Sequence, residues 1–352
     1  MPGITIVGSG HYAPGTPVTN EALARVMDTN DEWIQQRSGI RERHFAPEGV
    51  GSTDLAAEAA KRAIENAGLT PKDIDYVVFA TMTPDYTFPG CGGLLGAKLG
   101  IDGVPALDIR QQCAAFPFGL QLSDALVTAG AASTILLVGA DAHAGFMPWE
   151  DWDIVFGDRE GKPSDEAFER ATRHRGIAVV FGDGAGALVL RKHAKPNHGF
   201  LGAVLHTDGS LAEQVYLEGG SFKKRPFFSP EAFAAEAYVP RMQGRDLFKS
   251  AVIKLPETVR ELCTQQNITL DDIDWFIAHQ ANDRINNAVR DALKLPPEKV
   301  PSNIAHYGNT SAGTIPILLD EMRRDGRIRE GQLLCVFGLG AGLNWGAALL
   351  RA

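Results

Sequence analysis

The sequence predicts an α/β protein with two pseudo-repeated halves and mixed sheets. Three observations carry this. Short apolar runs such as YVVFA, ILLVGA, IAVVF and LLCVF read as strands buried on both faces. Helix-like stretches alternate with them, at 20–37, 53–67, 114–129, 245–266, 282–294 and 312–325. Two distant segments, LTPKDIDYVVFATMT at 69–83 and ITLDDIDWFIAHQAN at 268–282, share residue type and order.

Each of these segments runs from an acidic turn through a short apolar strand into polar residues. Val104-Pro105 then leads to Cys113, and Val300-Pro301 to Asn309, at the same spacing of nine. Gly130 and Gly326 follow those residues at the same offset of seventeen. The chain therefore divides into an N-terminal half, 1–190, and a C-terminal half, 191–352. An excursion at 143–174, with PWEDWD and RATRHRG, breaks the alternation, as does an irregular stretch at 217–240 that holds KKRPFFSPEAF. Long excursions in compact α/β proteins often cover binding sites.

The 352 residues carry a formal charge of −9, which argues against a general nucleic-acid binder. No apolar run approaches the ~20 residues that cross a bilayer. The start, MPGITIVGSG, lacks the basic-then-apolar pattern of a signal peptide. Cys91, Cys113, Cys263 and Cys335 are scattered, with neither disulfide nor zinc spacing. The expectation is a soluble cytoplasmic protein with no metal and no membrane association.

Three glycine patterns, beginning at Gly8, Gly182 and Gly338, invite a dinucleotide reading. Each lacks the order of strand, glycine turn and helix N-terminus that a phosphate site needs. They read instead as tight strand-to-strand turns with free backbone N–H groups.

Cys113 ends an apolar strand and opens a helix. There the macrodipole favours thiolate, which suits a nucleophile. His279 ends the strand WFIA, and Asn309 sits in HYGNTSAG. Singly, these are as readily a buried cysteine, a rim histidine and a capping asparagine. Together they lie at strand ends in corresponding elements of the two halves, where α/β folds collect their chemistry.

Seven signatures occur in order: NDEWIQQRSGIRERH (30–44), Cys113-Ala-Ala-Phe116, FGDGAGA (181–187), HxDGS (206–210), HQAN (279–282), HYGNTSAG (306–313) and GLGAGLNWG (338–346). The chain thus resembles the β-ketoacyl-acyl-carrier-protein synthase III family of thiolase-fold condensing enzymes. The resemblance implies a layered αβαβα fold and an acyltransferase. An acyl group from acyl-coenzyme A would load on Cys113, followed by decarboxylative condensation with malonyl-acyl-carrier protein or malonyl-coenzyme A, in fatty-acid or related secondary metabolism. His279 and Asn309 would hold the malonyl thioester carbonyl, and the N–H groups of Cys113 and Ala341 would form an oxyanion hole. Trp33, Arg37, Arg175 and Asn282 match residues around the coenzyme A arm, with the Trp33 indole stacking on adenine between that base and Arg175. Phe88 matches a residue that reaches into the partner's acyl pocket in a homodimer. Coenzyme A thioesters would be substrates, and no cofactor is implied.

The chain departs from the family pattern in several places. A Gly-Gly-Gly turn is here Gly340-Ala341-Gly342. Paired lysines after HQAN are replaced by Asp291 and Ala292, which weakens the landing surface for an acidic carrier protein although Arg284, Arg290 and Lys249 remain. Bulky Gln111-Gln112 precede the nucleophile. Met82 and Phe88 stand where other condensing relatives carry a catalytic glutamate, which favours decarboxylative chemistry. Acyl transfer or thioester hydrolysis without condensation, non-decarboxylative condensation of two acyl-coenzyme A molecules, and a silent partner subunit are the alternatives.

Overall fold

A computed structural model describes residues 3–352. The N-terminal half forms a five-stranded sheet ordered Ile4–Tyr12, Gly184–Lys192, Thr134–Asp141, Tyr76–Ala80 and Ala106–Ile109. The last three strands are parallel, and Gly184–Lys192 is antiparallel to both its neighbours. The C-terminal half repeats the plan with four strands, Trp275–Ala278, Leu333–Gly340, Asn344–Arg351 and Gly199–Thr207. Its first pair is parallel and the others are antiparallel.

Side-chain alternation along these strands explains why they read as apolar on both faces. Val77, Phe79, Leu136 and Val138 face one core, shared with helices Ser52–Asn66 and Cys91–Leu99. Val78, Ile135 and Leu137 face a second core, formed by the central helices Ala115–Thr128 and Thr314–Arg324. Ile277, Leu334 and Val336 enter that central core from the other sheet. Phe276, Cys335 and Phe337 turn outward to Gly244–Gln266 and Asp283–Leu293. The layers therefore run αβαβα, as the family resemblance implied.

The repeat extends to local capping. Thr70 and Asp73 close one turn before Tyr76–Ala80, with backbone N–H and hydroxyl both donating to the carboxylate at 2.8 Å. Thr269 and Asp272 make the same pair of bonds, at 2.7 and 2.8 Å, before Trp275–Ala278. Short 3-10 turns, Gln112–Ala114 and Ser311–Gly313, open the two central helices. These pairings share an offset of 199 residues (Thr70 to Thr269, Gln112 to Ser311). The structural counterpart of Cys113 is accordingly Ala312, and Asn309 lies just before the equivalent turn. The Val-Pro spacing misled because Val300-Pro301 lies three residues nearer its preceding strand than Val104-Pro105 does, although strand and turn keep the common offset.

Other expectations change too. Helix 20–37 is two helices, Asn20–Leu23 and Asp31–Ser38. The Asn30 side chain accepts from Trp33 N at 2.8 Å and starts the second one afresh. The run IAVVF is no strand. Arg175–Ala178 is helical, and Phe181 makes a single parallel bridge to Asn309. Five apolar residues look alike in a buried helix and in a strand. Gly10 and Gly186 lie inside strands, not turns. A methyl on them would come within 2.5 Å of Ala63 N and 2.7 Å of Ile317 N, so helices press on the sheet there. Only the third glycine pattern makes a strand-to-strand turn, between Leu333–Gly340 and Asn344–Arg351. Helix Cys91–Leu99 was not foreseen. Its first N–H groups are held by Asp108, which accepts from Cys91 N at 2.6 Å and Gly92 N at 2.8 Å.

The first half ends with strand Gly184–Lys192, and the second begins at Gly199. Within 143–174 lie helices Trp152–Phe156 and Asp165–Arg173; within 217–240 lies Pro230–Ala234. Among the described residues, no helix is long and apolar enough to cross a membrane.

Candidate active site

The fold brings Cys113, His279, Asn309 and Ala341 to one cleft of ≈ 2300 Å³. Cys113 sits in the turn that opens one central helix, and Asn309 just before the turn that opens the other. His279 follows strand Trp275–Ala278, its N–H bonded to Phe337 O at 2.8 Å. Gly338 lets these parts close up. A methyl there would lie 2.8 Å from Cys113 O and 3.1 Å from the His279 Cβ.

Ser311 joins all three. The Cys113 thiol donates to its hydroxyl at 3.6 Å. The Ser311 N–H donates to the Asn309 Oδ1 at 2.8 Å. Its carbonyl accepts from the Thr314 hydroxyl at 3.0 Å, and Thr314 Oγ1 lies 2.6 Å from His279 Nδ1. Because the Asn309 oxygen is engaged, its amide N–H groups are left to donate. Because His279 Nδ1 is engaged, Nε2 is the free position, and it has no partner among the described residues. Ser311 lay inside the HYGNTSAG signature without being singled out, and Thr314 follows it directly. Only the fold shows that they link the three side chains.

Burial dominates the electrostatics. It pushes the Cys113 thiol from 9.0 up to about 12, against the hydrogen bond to Ser311, and Asp141 nearby adds to the rise. Desolvation thus opposes the thiolate that the helix N-terminus favours. Burial also lowers His279 to about 3, so the imidazole is neutral. The site at rest holds an uncharged thiol and an uncharged ring.

The chain around the nucleophile is fixed tightly. A methyl on Gly340 would meet Cys113 N at 2.8 Å, so the Gly340–Gly342 turn lies against the nucleophile's own N–H. Asn344 holds that turn, donating to Ala341 O at 2.6 Å while accepting from the Thr207 hydroxyl at 2.8 Å. Asp141, wholly buried, was also unforeseen. Its Oδ1 accepts from Thr81 Oγ1, Met82 N and Thr83 N and Oγ1, and its Oδ2 from Ala312 N at 3.0 Å. One carboxylate thereby ties the 81–83 loop to the Asn309 loop.

Trp33, Arg37, Arg175 and Asn282 form a separate group, and none of them is among the residues lining the cleft. Arg37 lies 4.2 Å and Arg175 4.8 Å from the Trp33 ring centroid, so the indole already stacks with two guanidiniums. Asn282 caps helix Asp283–Leu293 through Arg284 N and donates to Arg37 O, both at 2.8 Å. Phe88 projects from its loop, 78% exposed. The remaining basic groups near HQAN are partly neutralised: Arg290 pairs with Asp291 at 2.8 Å and Lys249 with Asp246 at 3.6 Å.

Comparison with known proteins gives the family. The family model described as 3-oxoacyl-[acyl-carrier-protein (ACP)] synthase III matches residues 107–159 and 167–209, and the model of its C-terminal part matches 263–352. A protein of Rhizorhabdus wittichii, named beta-ketoacyl-[acyl-carrier-protein] synthase III, is 38% identical over 346 residues, covering 98% of each chain. The crystal structure of 3-oxoacyl-[acyl-carrier-protein] synthase III from Aquifex aeolicus VF5 superposes with a TM-score of 0.84 at 35% identity, over 99% of this chain and 100% of that one. The priming β-ketosynthase of the R1128 polyketide biosynthetic pathway gives 0.84 at 27% identity, over 99% and 96%. The chain belongs to the 3-oxoacyl-[acyl-carrier-protein] synthase III family.

Proposed function

We propose that this chain is a β-ketoacyl synthase III-like acyltransferase that loads an acyl group from acyl-coenzyme A on Cys113 and joins it to a malonyl thioester. The observation that carries this is the junction at Ser311, which links the thiol, the Asn309 amide and, through Thr314, the His279 ring.

In loading, the Cys113 sulfur bonds to the acyl carbon, the bond to coenzyme A sulfur breaks, and the thiol's proton leaves with coenzyme A. The oxyanion formed on the way faces the N–H groups of Cys113 and Ala341. In condensation, the bond to the malonyl carboxylate breaks and carbon dioxide departs. Its electron pair moves onto the thioester oxygen as an enolate. The Asn309 amide donates to that oxygen, and so does His279 Nε2–H when Thr314 directs its own proton to Nδ1. The neutral ring donates without readily protonating the carbanion. The enolate carbon then attacks the acyl carbonyl, the bond to sulfur breaks, and the sulfur regains a proton from water.

The same reading includes a cytoplasmic homodimer. Ala106–Ile109 is the edge of its sheet, with Leu107 40% exposed, and the exposed Phe88 lies on the loop before helix Cys91–Leu99. An edge strand with an exposed leucine is a pairing surface. Either malonyl-coenzyme A or malonyl-carrier protein is the donor. The pairing of Arg290 and Lys249 with carboxylates supports the coenzyme A form.

The decisive experiment incubates the protein with acyl-coenzyme A, then with malonyl donor labelled in its free carboxylate. An acyl adduct on Cys113, labelled carbon dioxide and a product two carbons longer are expected. Free acid or ester without carbon dioxide would replace this reading with simple acyl transfer.

A further inference from the structure

The cleft above Cys113 is larger than its chemistry requires, and two excursions of the chain build the excess. Ligand pockets usually span about 300–1,000 Å³, against ≈ 2300 Å³ here. Trp149 and Trp152, from the 143–174 excursion, line one part of it. Their rings meet edge to face at 5.4 Å and both pack on Phe45, at 5.9 and 5.2 Å. Phe227, Phe228, Phe233 and Tyr238, from the 217–240 stretch, also line it. Phe227 meets Phe228 at 4.6 Å, and Phe233 stacks on Tyr238 at 5.1 Å. The second stretch lies between the two family-model matches, which end at 209 and resume at 263.

The first excursion lines the cleft with more carboxylates (Glu150, Asp151, Asp153 and Glu166) than guanidiniums (Arg159 and Arg170), and both guanidiniums are paired. Arg159 is paired with Asp151 and Asp153, at 3.0 and 2.5 Å, and Arg170 with Glu150 at 3.1 Å. Neither guanidinium is left over for a substrate carboxylate. On the second stretch, by contrast, Phe228 is 75% and Phe233 64% exposed, although both border the cleft. Apolar rings left in water beside a reaction centre gain free energy when an apolar ligand covers them.

Resting on the condensing reading above, we infer that this chamber selects a large, uncharged, apolar acyl group, bound through its thioester at Cys113 and packed between the two aromatic walls. Such a group is either a medium-length alkyl chain or an aryl-bearing chain. The chemistry shared by both is apolar surface, and an aryl group can also stack on the wall rings.

The test compares acetyl-, decanoyl- and phenylacetyl-coenzyme A. Adducts on Cys113 are read by intact mass, and kcat/KM for condensation is measured with malonyl-coenzyme A and with malonyl-carrier protein. Each methylene taken out of water is worth ~4-fold, so three or more place decanoyl on the order of 50-fold or more above acetyl. Phenylacetyl exceeding decanoyl identifies the aryl source, and the reverse identifies the alkyl one. The double variant Phe227→Ser/Phe228→Ser, on a largely exposed strand of chain, is expected to lower kcat/KM about 10-fold for the favoured bulky thioester and to leave acetyl unchanged. Acetyl used as well as both bulky thioesters, or an equal loss for acetyl in the double variant, overturns the chamber while the condensing reading stands. No adduct from any thioester and no carbon dioxide from either malonyl donor would sink the condensing reading and the chamber with it.

Discussion

A thiol held near pKa about 12 by burial makes a sharp statement about reactivity before substrate arrives. At pH 8 the thiolate fraction of such a group is about 10⁻⁴, against roughly a quarter for a free cysteine of pKa ~8.5. Alkylation of Cys113 by iodoacetamide in the unliganded protein is therefore expected to run ~10³-fold slower than that of a free thiol. Its logarithm should rise by about one for each pH unit from 7 to 10, with no plateau. The assay is the rate of mass increase in the native protein, minus that of Cys113→Ser. The subtraction removes any reaction at Cys91, Cys263 and Cys335, all of which are buried. A plateau near pH 8, or a rate close to that of free cysteine, would show that the helix N-terminus prevails over desolvation and would refute the reasoning. If the slow rate holds, activation waits for a bound thioester, whose leaving sulfur accepts the proton.

Further expectations concern the parts that position the site. Gly338→Ala places a methyl 2.8 Å from Cys113 O and 3.1 Å from the His279 Cβ. Forcing those groups apart by even ~1 Å is expected to cost about 10²-fold in kcat with the fold retained, checked by kinetics alongside circular dichroism. Thr314→Val removes the partner of His279 Nδ1 and should slow decarboxylation of the malonyl donor ~10-fold or more, while Cys113 still acylates; Thr314→Ser should restore the rate. His279 is lowered from 6.5 to about 3, so its burial contributes stability that is present above pH 6.5 and is lost as pH falls toward 3. Thermal unfolding of His279→Asn should accordingly fall less steeply across that window than that of the parent.

The layered fold was legible because the apolar runs are buried from both sides, which leaves a strong signal in residues such as Val77, Val78 and Phe79. The motifs singled out Cys113, His279 and Asn309, which the fold brings to one cleft. What escaped was whatever depends on partners far away in sequence. Helix Cys91–Leu99 owes its start to Asp108, and nothing within CGGLLGAKLG announces it. Asp141 looks like the end of an apolar strand until the 81–83 and 309–313 loops fold around it. The burial that raises the Cys113 thiol escaped for the same reason. Sequence shows the helix that follows a cysteine but not the atoms that exclude water from it.

The two turns that open the central helices share an uncommon backbone. Gln112 has φ 46° and Ser311 φ 50°, a region that residues other than glycine adopt only at a cost of about 1–2 kcal/mol. A bend kept at the same place in both halves, at side chains as unlike as an amide and a hydroxyl, belongs to the repeated backbone plan rather than to the side chains that carry it. The shape is therefore common to the two halves, while the side chains set upon it differ. One half sets Cys113 immediately after the bend and the other sets Ser311 upon it, so a single local backbone form serves two different groups at one cleft.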